Sequence, residues 1–339
     1  MEKNILERSL EGVTSVLLLG HIHPDGDCVG TCLALYNYLA EQEPQLAVTL
    51  YLDNPAGKFS YLRYFDRIRT EAEPEMRFDL CITMDSSDRE RLGRFEPCFA
   101  AAGRTLCIDH HRTNRGFAEK NYILPEASSC SEVLYGMLDE GKISRATAEC
   151  LYTGIIHDTG VFKFSSTSRR TMEIAGRLME RGLDCARIID DSFYRKTYVQ
   201  NQLLGRALLE SVLFMDGRCV FSAIRQKDLD FYGAGSNDLD GIIDQLRITE
   251  GVECAVFIYE LAPDEFKVSL RSNEYLDVSR IAAYFGGGGH IHAAGCTMQG
   301  TVHDVLNNLS LHIEAQIRAH DGACEAGAAD AGQKGPGQA

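Results

Sequence analysis

Ser15-Val16-Leu17-Leu18-Leu19-Gly20-His21-Ile22-His23-Pro24-Asp25-Gly26-Asp27 joins two kinds of chemistry in thirteen residues. The first part is wholly apolar, the composition of a short strand buried on both faces. The second crowds two imidazoles and two carboxylates around Gly26, whose missing Cβ permits backbone angles that other residues resist. From residue 29 to 41 apolar residues recur at helical spacing, so a strand turns sharply into a helix at this point. Asp25 or Asp27 alone reads equally well as a helix cap. His21-x-x-x-Asp25-x-Asp27, standing at the end of a buried strand, reads as a ligand set for divalent cations.

Working outward, strand-like apolar runs recur at residues 47–52, 78–84 and 105–108, separated by longer polar or helical stretches. That alternation predicts an α/β fold, a mainly parallel sheet with helices on both faces, in which the carboxyl ends of strands line the binding crevice. Helical periodicity follows at residues 129–140, 144–156, 168–181, 184–194 and 199–211. It lapses at Phe193-Tyr194-Arg195-Lys196-Thr197, where a joint between domains is expected. The expected division is a catalytic domain at 1–193, a linker at 194–200 and a smaller α+β domain at 201–320. In that second domain the periodicity predicts a hairpin turned at Asp216-Gly217, a second hairpin turned near Pro263-Asp264, and helices at 239–249, 278–285 and 302–320. Residues 321–339 are rich in Ala and Gly without apolar periodicity and are expected to be disordered.

Three further segments carry donors beyond apolar runs. Asp85 ends the run at 78–84 and has the position of a carboxylate shared by two cations about 3.5–4 Å apart. In Asp109-His110-His111, adjacent side chains diverge, so one imidazole can face a cation while its neighbour faces substrate, with Asp109 orienting an imidazole from behind. Asp158 closes a helical stretch, and its neighbour His157 reads as a ligand neighbour, an orienting group or a helix-end cation. Oxygen and imidazole donors in this number suit a pair of Mn²⁺, Fe²⁺, Co²⁺ or Zn²⁺ ions, and the implied chemistry is metal-assisted hydrolysis. In the second domain, Gly286-Gly287-Gly288-Gly289-His290 reads as a row of exposed N–H groups, an anion-binding nest, with Arg271 placed to add a bidentate contact to the same phosphate.

Composition narrows the partners. A chain of 339 residues with 45% apolar residues can bury two cores. Its formal charge of −15 opposes tracking along a long nucleic acid, whereas bound dications would reverse the local potential for a small anionic substrate. The twelve cysteines include no Cys-x-x-Cys pair and read as buried thiols. No leader and no apolar run near the ~18 residues of a membrane span is evident, so a cytoplasmic protein without a membrane partner is expected.

Taken together, His21-x-x-x-Asp25-x-Asp27, Asp109-His110-His111, Gly287-Gly288-Gly289-His290 and Ala293-Ala294-Gly295 resemble the DHH/DHHA1 phosphoesterase superfamily over about residues 12 to 320. The compact two-domain form is similar to its nanoRNase/pAp phosphatase (NrnA-type) branch. The resemblance implies a dinuclear centre, manganese above all, with Mg²⁺, Co²⁺, Fe²⁺ or Zn²⁺ as alternatives. It implies one cation on His21, Asp25 and Asp85 and the other on Asp27, Asp85, His110 and Asp158. His111 would contact the scissile phosphate, with Asp85 and Asp109 completing the catalytic group. Arg271, Gly287, Gly288, Gly289 and His290 would hold the substrate's other end. The implied substrates are short oligoribonucleotides and 3′-phosphoadenosine 5′-phosphate. Cyclic di-AMP or linear pApA and pGpG are the alternative, and a non-catalytic nucleotide sensor is the reading from another class. A homodimer is left open. His23, Cys28 and Thr31 depart from the residues usual in the family.

Overall fold

Val16 and Leu18 face one side of strand β1 (Ser15–Leu19) and Leu17 and Leu19 the other, and all four are buried. Val16 and Leu18 join a core with Val29, Leu33 and Leu151, while Leu17 and Leu19 join Tyr51, Phe95 and Phe99. Both faces are therefore covered, which is why the run shows no alternation. The computed structural model describes residues 3–73 and 75–333. It divides into two compact units, Met1–Arg195 and Lys196–Ala339, a boundary that falls within the segment where periodicity lapses.

In the first unit β1 is joined by β2 (Ala47–Tyr51), β3 (Leu80–Met84), β4 (Arg104–Asp109) and β5 (Lys120–Ile123). The sheet is wholly parallel in the order β2-β1-β3-β4-β5. The chain thus runs outward from β1 to one side, then returns to add β3 on the other. The winding reverses between β1 and β3, the position at which sheets of this type place a binding crevice beyond the carboxyl ends of the strands. Among the described residues the α-helices of this unit are α1 (Ile5–Leu10), α2 (Gly26–Gln42), α3 (Glu96–Ala100), α4 (Cys130–Tyr135), α5 (Arg145–Asp158), α6 (Arg169–Met179) and α7 (Cys185–Ile189). Helices α2 and α5 cross closely at Gly30, where an added Cβ would lie 2.6 Å from the Cys150 carbonyl oxygen and 2.8 Å from the Gly154 nitrogen.

Two elements differ from expectation. The edge strand β5 has the sequence Lys-Asn-Tyr-Ile, which is too short and polar to stand out as a strand. Residues 190–194 continue α7 as a π-type turn instead of a regular helix.

The second unit is built on a mixed six-stranded sheet, β10-β11-β9-β8-β7-β6. Its strands are β6 (Val212–Phe214), β7 (Cys219–Ile224), β8 (Cys254–Ala262), β9 (Glu265–Ser272), β10 (Gly288–His290) and β11 (Ala293–Gln299). Only β7 and β8 pair in parallel among these strands. The expected turn between β6 and β7 places Met215, Asp216 and Gly217 all at positive φ. Helices α8 (Tyr198–Leu209), α9 (Gln226–Tyr232) and α10 (Ile242–Arg247) pack with Val220, Ala255 and Phe257. Helices α11 (Val278–Tyr284) and α12 (Val302–Gln333) pack with Cys254, Val256 and Leu270 on the other face. Residues 321–333, expected to be disordered, instead continue α12; their alanines favour helix even without an apolar stripe. Residues 334–339 of that expected tail lie outside the described residues. Among the described residues no helix is long and apolar enough to cross a membrane.

The α2/α5 crossing generates a paired prediction. Gly30→Ala should lower stability by about 1–3 kcal/mol through overpacking. Gly176→Ala, on the exposed face of α6 with open space around the added methyl, should raise it by about 0.5–1 kcal/mol. Urea denaturation of the two variants checks both signs, and a neutral Gly30→Ala would show that the two backbones can part without loss.

Candidate metal centre

Because β1 and β3 are neighbours, His21 and Asp85 emerge side by side. Asp85 sits at φ +57, a left-handed conformation that Asp tolerates better than most residues, and its N–H donates to the Ile108 carbonyl at 3.1 Å. The buried carboxylate straddles two groups. Its Oδ2 lies 3.5 Å from His21 Nε2, while Oδ1 lies 3.4 Å from His110 Nε2 and 3.7 Å from His111 Nδ1.

The surrounding donors are held by bonds of their own. His21 Nδ1 donates to the Ile22 carbonyl at 2.7 Å, which leaves Nε2 to face the carboxylates. Asp25 caps α2 by accepting from the Asp27 and Cys28 N–H groups, and its Oδ1 still lies 3.8 Å from His21 Nε2. Asp27 is fully buried. It accepts from the N–H groups of Cys130 (2.6 Å) and Ser131 (3.0 Å), at the start of α4, and from Thr31 Oγ1 (3.0 Å). Asp158, in the last turn of α5, lies 3.0 Å from His110 Nε2. Asp109 orients His111, not His110: His111 Nδ1 donates to it at 2.7 Å, and Asn114 donates to its other oxygen at 2.6 Å.

His157 points elsewhere. Its ring packs against Gly26, Phe59 and Phe193 and bonds Ser192 at 3.1 Å. Burial, aided by Lys58, lowers its pKa to about 4, so the imidazole is a neutral packing group.

The charge balance is lopsided. Burial alone would lower the pKa of His110, but Asp158, Asp85 and Asp27 outweigh it and push it up to about 12. Burial, then Asp85 and Asp158, holds Asp27 well above the usual carboxylate range. The carboxylates thus draw in protons to offset their mutual repulsion, a role that divalent cations would take over. The Asp85 Oδ1 atom is buried without a hydrogen-bond partner, the condition expected of an oxygen shaped for a cation. Among the described residues, three sets of donor atoms lie within 4.8 Å of one another: Asp85 with His110 and His111, Asp27 with His110 and Asp158, and His21 with Cys28 and Asp85. Oxygen and imidazole donors of this kind could hold divalent cations.

The second unit brings Arg271 and His290 into one lateral row, since both pair with Ala293, one on each side of β11. The Arg271 Nε lies 3.7 Å from Asp244 Oδ1. The glycine run, however, is not a nest. Gly288 to His290 form the edge strand β10, and the N–H groups of Gly286 and Gly287 already donate to Ala283 and Ala282. Gly287 and Gly289 are glycines because a Cβ at either would collide with the backbone of β11.

Sequence reasoning did not assign Asn114, Thr31 and Ser131, which hold Asp109 and Asp27 in place. None belongs to a spaced motif, and only the tertiary contacts reveal them. Cys28 carried a signal as a departure from the family pattern, but not its direction towards His21.

Residues 15–155 match the family model "DHH family, N-terminal domain", and residues 218–319 match the DHHA1 domain. Over 324 residues the chain is 24% identical to the bifunctional oligoribonuclease and PAP phosphatase NrnA of Bacillus subtilis, covering 94% of this chain and 100% of that protein. Over 299 residues it is 26% identical to the NrnA of Thermus thermophilus, covering 86% of each. The crystal structure of an exopolyphosphatase-related protein from Bacteroides fragilis shares the fold, with a TM-score of 0.84 at 24% identity over 91% of this chain and 94% of that one. With its strand-end carboxylates, its Asp-His-His segment and both domains matched in order, this chain belongs to the DHH/DHHA1 phosphoesterase superfamily, in its NrnA-type branch.

Proposed function

We propose that this protein is a dinuclear phosphoesterase that hydrolyses short oligoribonucleotides and removes the 3′-phosphate of 3′-phosphoadenosine 5′-phosphate. The observation that carries the reading is the Asp85 carboxylate, with one oxygen turned to His21 and the other to His110 and His111. The names of the two NrnA relatives, matched over 100% and 86% of their lengths, support the substrate class.

In this reading His21, Asp25 and Asp85 hold one divalent cation, Asp27, Asp85, His110 and Asp158 hold the second, and manganese is the favoured metal. When bound, such cations supply Lewis acidity at phosphorus-bound oxygens and lower the pKa of water. The chain's own residues do the rest. Asp27 is fixed by the Cys130 and Ser131 N–H groups, so its position does not depend on a flexible side chain. Asp109 fixes His111 through Nδ1 and, acting first among the influences on that ring, raises its pKa. His111 can then donate from Nε2 to a phosphate oxygen as charge builds on it. Arg271 and His290 are assigned to a second phosphate of the substrate.

Asp85→Asn should retain the left-handed turn, which Asn also tolerates, while removing the shared charge. Hydrolysis of 3′-phosphoadenosine 5′-phosphate and of a dinucleotide should fall by roughly 10²–10³-fold or more, the scale of losing one preorganised charged group. Elemental analysis should show less bound metal in a variant whose circular dichroism is unchanged. Near-native turnover at saturating Mn²⁺ would refute the shared carboxylate.

The second expectation concerns length. A chain with a formal charge of −15 should cleave a dinucleotide at least about tenfold faster than an oligomer of about 24 nucleotides, which meets a repulsive field. Equal rates would count against the short-substrate assignment.

Arg271→Ala should lower kcat/KM on the same substrates by roughly 10- to 200-fold, one lost charge-assisted contact, and leave Mn²⁺ affinity unchanged. Bis-p-nitrophenyl phosphate has no second phosphate, so its hydrolysis should hardly change. Parallel losses on both substrates would assign Arg271 to the fold.

A further inference from the structure

Cys28 stands in the metal centre without a part in the chemistry described above. Its Sγ shares a 4.8 Å cluster with a ring nitrogen of His21 and a carboxylate oxygen of Asp85. Its backbone N–H donates to Asp25 Oδ1 at 3.1 Å, which fixes the start of the helix that carries the thiol beside that carboxylate. The thiol is fully buried and occupies the space left by the absent side chain of Gly20, directly before His21.

We propose that Cys28 is a fourth, sulfur donor at this position, recruited by thiophilic cations and ignored by hard ones. The inference rests on the reading of His21, Asp25 and Asp85 as a cation site. A tetrahedral Zn²⁺, with bonds of ~2.1 Å to nitrogen and oxygen and ~2.3 Å to sulfur, needs donors about 3.4–3.6 Å apart. His21 Nε2 already lies 3.5 Å from Asp85 and 3.8 Å from Asp25, and Cys28 Sγ, within 4.8 Å of the His21 and Asp85 donor atoms, would complete a set of four by a small inward shift. Thiolate sulfur selects Zn²⁺ and Cd²⁺, whereas Mn²⁺ and Mg²⁺ prefer oxygen and keep water in their shells. On binding a soft cation, a sulfur–metal bond replaces the S–H bond and the proton leaves to solvent. All four tetrahedral positions are then filled by protein, so no position stays open for water or substrate, as catalysis requires. The same residues would thus form an open, working site for a hard cation and a closed, inhibited one for Zn²⁺ or Cd²⁺.

Cobalt titration of the metal-free, full-length protein tests this without measuring activity. Wild type should show visible d–d absorption together with a near-ultraviolet sulfur-to-cobalt charge-transfer band. Cys28→Ala should keep the visible bands and lose the charge-transfer band, and Cys32→Ala, one helical turn further along α2, should keep both. By competition with a chelating dye, Cys28→Ala should weaken Zn²⁺ binding at least roughly 10- to 100-fold, with Mn²⁺ affinity changing less than about threefold. Cys28→Ser, close in volume, repeats the comparison should the alanine variant fail to fold. Visible bands without charge transfer in wild type, or a charge-transfer band that survives loss of Cys28, would overturn the proposal and leave the cation site standing. Absence of any cobalt binding would overturn both.

Discussion

Two carboxylates, Asp27 and Asp85, are held out of water at the mouth of a parallel sheet, and the N-terminal unit is organised around that unfavourable placement. A buried carboxylate is tolerated only where hydrogen bonds or cations compensate its charge. For Asp27 the compensation comes from backbone: the first N–H groups of α4 and the Thr31 hydroxyl point at it. Asp85 lacks such donors on Oδ1 and depends on the imidazoles of His21, His110 and His111. The difference is functional in form. One carboxylate is fixed by the scaffold, and the other is left with coordination capacity.

The scaffold achieves this through winding order. With the sheet arranged β2-β1-β3-β4-β5, the ends of β1, β3 and β4 come together at the switch point, and each end contributes donors to one volume. Helix α5 completes the set from a different direction. Its close crossing with α2 at Gly30 brings Gly154 against Asp27 and Ser131, one turn before Asp158. Bulk at that crossing would move Asp158 away from His110, so a packing constraint and a ligand constraint coincide in one pair of helices.

The second unit works under a different rule. Its sheet carries Arg271 and His290 as paired positions across β11, which places two cationic or proton-donating groups in one row about two strand spacings apart, ~9–10 Å. The glycine run beside them serves close strand packing. The side chains that the sheet presents, Arg271 and His290, are therefore the groups placed in line for chemistry there.

Periodicity in the sequence determined the central strands, the two-unit organisation and which acidic and imidazole residues stand beyond the strand ends, because a strand buried on both faces and then broken by His and Asp has few structural alternatives. The clustering of His21, Asp25, Asp27, Asp85 and His110 beyond strand ends was legible for that reason, as was the hairpin at Asp216-Gly217, whereas Asp158, at the end of a helix, joined them only through the family resemblance. The edge strand β5 was not, since four mixed residues carry no measurable period. The role of each residue in the shells around the donors was decided only by tertiary structure. Whether Asp109 orients His110 or His111, whether His157 faces a cation or packs on Gly26, and whether four glycines form a nest or a strand all depend on long-range contacts. Sequence spacing determines which face of a strand or helix a side chain occupies, but its partner comes from another element. Cys28 shows the limit most plainly: as a letter it is one of twelve cysteines, and only the approach of α2 to the end of β1 sets its sulfur beside His21 and Asp85.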